Sequence, residues 1–269
     1  MSVPLGATLA AHRTAGRRLL VAYVMAGSTP GWLDAAEALV AAGVDALEIG
    51  LPFSDPVIDG PVIQAAGTRA LAARTTLSTV AGELAARSLG VPLVAMTYAN
   101  VAMAHGYDRT AGQLAGAGVT GAILADLPLE ELESWWAAAR TQGIETVLLA
   151  APSTPPARLD ALCAKAEGFL YAMGRMATTG ETDALDPRGA DLVRALRVRT
   201  SLPILLGVGV SSPTHASSAC EVADGVIVGT AIVRRMLDGE TPEALAAFAA
   251  SLRAAIDGVA TARSGEVSR

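Results

Sequence analysis

The sequence predicts an α/β protein of the (β/α)8 barrel class, a TIM barrel with one extra N-terminal helix. Three observations carry that expectation. Short, almost continuously apolar runs recur along the chain, Ala-rich stretches of helical period separate them, and no shift in composition interrupts the alternation. Such runs read as parallel strands buried on both faces. Eight alternations favour a closed barrel over an open doubly wound sheet, which more often has fewer strands. One domain is expected over residues 1–269, a usual length for such barrels.

The expected strands are 19–26, 46–51, 91–98, 121–127, 146–151, 168–173, 204–210 and 225–228. The first helix, 32–42, carries Leu33, Ala36, Leu39 and Val40 on one face, the spacing of a half-buried helix. Helices follow over 71–88, 110–117, 129–142, 156–165, 190–200 and 213–220, and a last one over 242–256. Ser or Thr followed by Pro marks several helix starts, at Thr29-Pro30, Thr154-Pro155, Ser212-Pro213 and Thr241-Pro242. Gly43, Gly90, Gly118 and Gly143 close helices ahead of the next strand. Residues 1–15 read as a helix capping the barrel floor, and 262–269 as a frayed tail.

Composition narrows the function. Hydrophobic residues make up 52% and charged residues 17%, which permits a large core and excludes global disorder. A net charge of −6, scattered arginines and one lysine, Lys165, argue against a nucleic-acid partner. Cys163 and Cys220 fall in helical patterns without metal-like neighbours and read as free thiols of a reduced, cytoplasmic protein. His12 and Arg13 precede any long apolar stretch, so no signal peptide is read. Residues 88–107 are uncharged and as long as a membrane span, but Pro92 and Asn100 make a buried strand and its loop the better reading; no membrane partner is expected. HxH, HExxH, CxxC, Gly-x-Ser-x-Gly and Walker motifs are lacking, so no metal site is expected.

In a barrel of this class the reactive groups stand at the C-terminal strand ends and on the following loops. The most informative stretch is therefore residues 46–61, where a glutamate interrupts an aliphatic strand. Strand periodicity puts Leu47, Ile49 and Leu51 on one face and Ala46, Glu48 and Gly50 on the other. Glu48, between two small residues, has room for a ligand, and an apolar site would raise its pKa enough for proton transfer near neutrality. The competing reading is an interior charge paired with an arginine. Asp59 follows in a long loop, as a second carboxylate or as the cap of a helix starting near Pro61; Asp55-Pro56 is a turn former.

A second constellation lies near the end of the chain. Gly207, Val208 and Gly209 close one strand, and Gly229-Thr230 leads the last strand into a helix. Glycines there let backbone N–H groups approach an anion, and the loops after the seventh and eighth strands are a frequent phosphate site. Thr178, Thr179 and Gly180 sit in a second long loop, 174–189, where a hydroxyl could reach a substrate. Tyr98 and Tyr171 either line a pocket or pack, and Trp135-Trp136 reads as a helix face.

Residues 47–66, LEIGLPFSDPVIDGPVIQAA, closely resemble the signature of the tryptophan synthase α subunit family. MTYAN (96–100), ADLPLEE (125–131), GVGVSSP (207–213) and DGVIVGTAIV (224–233) extend the resemblance over nearly the whole chain. It implies cofactor-free retro-aldol cleavage of indole-3-glycerol phosphate to indole and glyceraldehyde 3-phosphate. It further implies Glu48 as the acid–base acting at C3 of indole and Asp59 as the carboxylate at the indole N–H. Tyr171 would pack by the indole, and Thr179, in a loop with Gly180, would order a lid. Gly207, Val208, Gly209, Gly229 and Thr230 would cradle the phosphate. A pyridoxal-phosphate β subunit is the implied partner, with Asp55, Pro56 and Pro128 in the contact regions. The departures are Ala177 and Thr178 where the family usually has Gly and Val, Val208 for Phe, and Thr230 for Ser. A stand-alone indole-releasing lyase and a non-catalytic activator of a β-type partner are the alternative readings.

Overall fold

The computed structural model describes residues 2–174, 186–207 and 209–266, with side chains through Val259. Its strands are β1 (Leu19–Met25), β2 (Ala46–Gly50), β3 (Leu93–Thr97), β4 (Gly121–Leu124), β5 (Glu145–Thr146), β6 (Leu148–Ala150), β7 (Leu170–Met173), β8 (Ile204–Gly207) and β9 (Gly225–Val228). All pairings are parallel, in the order β5-β4-β3-β2-β1-β9-β8-β7-β6. The terminal members β5 and β6 are separated only by Val147, whose N–H donates to the Ala122 carbonyl at 2.9 Å. They are two halves of one stave, and the sheet is a barrel of the expected class. The expected strand 146–151 is thus interrupted one residue after its start.

The helices are α1 (Leu5–Thr14), α2 (Trp32–Ala41), α3 (Pro61–Ala72), α4 (Leu77–Ala85), α5 (Ala99–His105), α6 (Tyr107–Gly116), α7 (Leu132–Thr141), α8 (Pro156–Lys165), α9 (Pro187–Arg197), α10 (Pro213–Cys220), α11 (Thr230–Leu237) and α12 (Pro242–Glu266). The expected helix 71–88 is in fact the end of α3 and all of α4. Arg74 breaks it at φ 60°, and Thr76 starts α4 with a capping box shared with Thr79. α12 runs past residue 262 to Glu266, where a frayed tail was expected. Ser212 caps α10 by accepting from the His215 N–H, whereas Pro155 and Gly31 hold the cap positions of α8 and α2. Gly43, Gly118 and Gly143 have positive φ just past the ends of α2, α6 and α7.

Strand parity divides the apolar residues into two sets. Leu20, Ala22, Leu47 and Ile49 face the helical layer, whereas Leu19, Val21, Ala46, Val94, Phe169 and Leu205 fill the barrel interior. Leu5 and Leu9 of α1 join the inner set from below, both with no exposed surface. A side chain on Gly121 or Gly168 would collide with the Leu5 Cδ2, at 2.4 and 2.7 Å. α1 therefore plugs the floor, and the Gly6 N–H donates to Glu145 Oε2 at 2.6 Å.

Beside it, the buried Asp45 accepts from the Leu20 N–H at 2.8 Å and pairs with Arg17 at 2.6 Å and Arg253 at 2.9 Å. His12 of α1 stands 3.0 Å from the same carboxylate. Several partners offset the desolvation of this acid, and together they tie α1 and α12 to the base of β2.

Candidate active site

The open end of the barrel holds a cavity of about 840 Å3, including its solvent mouth. Its walls come from nearly every stave, with Glu48, Tyr23 and Tyr171 deepest and Asp59, Gly207, Gly209, Gly229 and Thr230 toward the rim. Met96, Leu149, Ile63 and Ile227 supply an apolar lining.

Glu48 points inward because β2 alternates. Ala46 lies in the inner cluster and Leu47 and Ile49 in the outer one, as periodicity predicts. The acid is 1% exposed, and its Oε2 has no hydrogen-bond partner among the described residues. Among the described residues no arginine or lysine lines the cavity and none pairs with Glu48, against the reading of Glu48 as half of an interior ion pair. Burial, with a smaller contribution from the Asp59 charge, pushes its pKa up to about 8. At neutral pH it is a protonated acid, poised to donate.

Asp59 sits where the loop after β2 turns into α3. Gly60 is the cap residue of α3, and no side chain hydrogen-bonds there, so Asp59 is not a helix cap. It is half-buried, and desolvation raises its pKa while a hydrogen bond with the Tyr98 hydroxyl acts the other way. Tyr98 stands just past β3, its ring 5.1 Å from that of Phe53, and its hydroxyl accepts from the Ile58 N–H at 3.3 Å. The loop carrying Asp59 is thus tied to β3 through one tyrosine.

The rim opposite has the features of an anion cradle. α11 begins at Thr230 without a side-chain cap, leaving its first N–H groups available. Gly209 adopts φ +66°, a conformation that disfavours any side chain. Tyr171 lies between cradle and acid. Thr179 and Gly180, with Thr178, and also Val208, lie outside the described residues.

The rim faces outward with exposed apolar groups. Val57 is 78% and Met103 61% exposed. Asp55 is exposed, Pro56 half-buried, and Pro128 exposed ahead of a 3-10 turn at Leu129–Glu131. Tyr23, Met96, Leu149 and Ile227 were not singled out from sequence. Their runs are apolar throughout, so only the inward parity of each strand distinguishes them. Among the described residues no group of three or more His, Cys, Asp and Glu is placed to hold a metal, and no helix is long and apolar enough to cross a membrane.

Two acids in the open-end cavity of a barrel with features of an anion cradle would suit several phosphorylated substrates, and comparison with known proteins decides among the families. The profile of the tryptophan synthase alpha chain family matches residues 9–258. The chain belongs to this family. It is 41% identical over 259 residues to the tryptophan synthase alpha chain of Streptomyces avermitilis, covering 93% of this chain and 94% of that one. With the alpha chain of Solibacter usitatus it shares 42% identity over 226 residues, 81% and 83% of the two chains. Among solved structures, a tryptophan synthase of Mycobacterium tuberculosis superposes with a TM-score of 0.86 at 34% identity, covering 95% of this chain and 99% of that one. The alpha subunit of Legionella pneumophila superposes at 0.85 and 31% identity, covering 96% and 99%.

Proposed function

We propose that this chain, acting as a single barrel domain in the cytoplasm, cleaves indole-3-glycerol phosphate into indole and glyceraldehyde 3-phosphate. The observation that carries the assignment of roles is the buried, unpaired Glu48, held protonated near neutrality in the same cavity as Asp59. Membership of the tryptophan synthase alpha chain family supports the reaction.

Indole leaves poorly from carbon until C3 carries a proton. Glu48 supplies it, and the resulting cation spreads onto the ring nitrogen. Asp59 accepts a hydrogen bond from that N–H and offsets its charge. As the side-chain hydroxyl passes its proton to the Glu48 carboxylate just formed, the C–O bond becomes a carbonyl and the bond to C3 breaks. The electron pair returns to the ring, and one proton has been gained at C3 and one lost from oxygen. Tyr171 packs against the indole. Gly207, Gly209, Gly229 and Thr230 hold the phosphate, and Val208, Thr179 and Gly180 complete the cradle and lid.

The partner that fits is a pyridoxal-phosphate β subunit consuming the indole, seated on the rim at Asp55, Pro56 and Pro128. Exposure of Val57 and Met103 among the described residues supports an apolar contact there. The decisive experiment is an indole-release assay on the purified chain with and without a β subunit. Indole formation that rises when the β subunit is added, and is lost in Glu48→Gln, is expected. No indole under either condition would overturn the assignment.

A further inference from the structure

Tyr23 is a buried phenol that the mechanism above leaves without a role. It lies on β1 directly opposite Glu48 in the parallel register with β2, and it is 7% exposed. Its ring leans toward the rim across β2, where Gly50 leaves room for it: a Cβ at that position would lie 2.0 Å from the Tyr23 hydroxyl. Among the described residues the hydroxyl's one hydrogen-bond contact is the Met25 thioether sulfur at 4.0 Å, a weak acceptor. Across from it, Glu48 Oε2 is a buried acceptor with no donor among the described residues. A donor without an oxygen acceptor and an acceptor without a donor therefore occupy the same layer of the barrel, on adjacent strands. Each is costly while the other stays away.

We propose that Tyr23 is a positioning residue of the cleavage reaction, its phenol donating a hydrogen bond to the Glu48 carboxylate as that acid gives up its proton. The bond needs the Glu48 side chain to turn toward Tyr23, and it strengthens as the carboxylate forms, because an ionised acceptor holds a donor more tightly than a neutral one. The proton transferred to carbon comes from Glu48, and Tyr23 keeps its own. Three other titratable groups face this layer. Tyr171 on β7 and Asp59 on the loop line the same cavity, and Tyr98 after β3 shares a side chamber with Tyr23 and Asp59. Tyr98 already serves Asp59. From α3 and α11 the apolar side chains Ile63, Ala66, Ala70 and Val233 share the buried cluster of Tyr23. Burial and the Asp59 and Glu48 charges hold the Tyr23 phenol itself well above its usual range, so it stays a donor at every working pH.

The inference rests on the assigned role of Glu48, and its test has a readout that does not depend on turnover. The Glu48 carboxyl carbon is followed by NMR through a pH titration of the isotope-labelled chain, in wild type, Tyr23→Phe and Tyr171→Phe. A donor to the ionised form lowers the pKa, so Tyr23→Phe is expected to move the Glu48 titration upward by about one pH unit. In indole release the same variant is expected to lose about tenfold in kcat with KM within roughly twofold, and its basic limb to shift with the titration. An unshifted titration in Tyr23→Phe, or a shift seen only in Tyr171→Phe, overturns the proposal. If wild type releases no indole, the assigned reaction fails while the titration still reports on Tyr23. Because Phe keeps the ring, a thermal midpoint near that of wild type separates this effect from loss of fold.

Discussion

The ring of Tyr171 occupies the space that any side chain at Gly207 would need: a Cβ there would lie 2.2 Å from the phenol oxygen. The two residues sit on neighbouring staves, β7 and β8, so the glycine of the proposed phosphate rim also sets the position of the tyrosine beside the acid. Gly207→Ala is expected to push Tyr171 into the substrate cavity and to reduce kcat/KM by at least about a hundredfold, a ~3 kcal/mol effect. Steady-state kinetics with a circular-dichroism check of the fold decide it; near-normal kinetics would refute the coupling.

Glu48→Gln keeps the shape of the acid and removes its proton. A loss in kcat on the order of a thousandfold is expected, the scale of a general acid–base group, with substrate affinity largely kept. Asp59→Asn should fall in the same range. Single-turnover indole release separates these losses from slow product exit.

The raised Glu48 pKa makes a statement about stability. The folded value of about 8 exceeds the ordinary 4.5, so the folded state holds the proton more tightly than the unfolded chain. That contribution is fully present below about pH 4.5 and disappears as pH rises through about 8. Removing the ionisable group should therefore leave Glu48→Gln melting several degrees above wild type at pH 9, at ~1.4 kcal/mol per pKa unit, with the gap narrowing toward neutrality. Thermal melts across pH test this, and identical midpoints at pH 9 would contradict it.

Gly209→Ala addresses the anion cradle. A side chain at φ +66° costs about 1–2 kcal/mol locally and would displace the N–H groups of the proposed phosphate site. KM is expected to rise about tenfold while kcat changes little; a fall in kcat at constant KM would place Gly209 outside the phosphate site.

Leu5→Ala tests the floor plug. Leu5 is fully buried among inward residues of several staves, and truncation should cost about 2–5 kcal/mol. Urea unfolding measures it, and a loss below about 1 kcal/mol would show that α1 is not integral to the barrel.

Much of this was readable from the sequence because the barrel repeats one physical pattern. Alternation put Glu48 on the inner face of β2, and the apolar runs located the staves. Boundaries fared worse where local propensity misleads. The Ala-rich stretch around 71–88 has helical character throughout, yet Arg74 adopts a left-handed conformation without being a glycine, and the signal that separates α3 from α4 is the Thr76–Thr79 pair. Likewise, the interruption at Val147 has no local cue. Tyr23 was hidden for another reason: within Leu19–Met25 every residue is buried, so only the register with β2 shows that it stands opposite Glu48. The residues of the expected lid, 175–180, fall outside those described and add nothing to the comparison.

Among the described residues Leu5 and Leu9 stopper the barrel floor, which leaves the rim as the doorway. Substrate must enter, and both products must leave, past the rim that carries Val57, Ile58 and Pro128. Indole is small and greasy enough to wander off into lipid or solvent, and the plugged floor does not direct it. Whatever sits over that doorway therefore decides where the indole goes, and a cap that admits the phosphate ester must also act as its customs post.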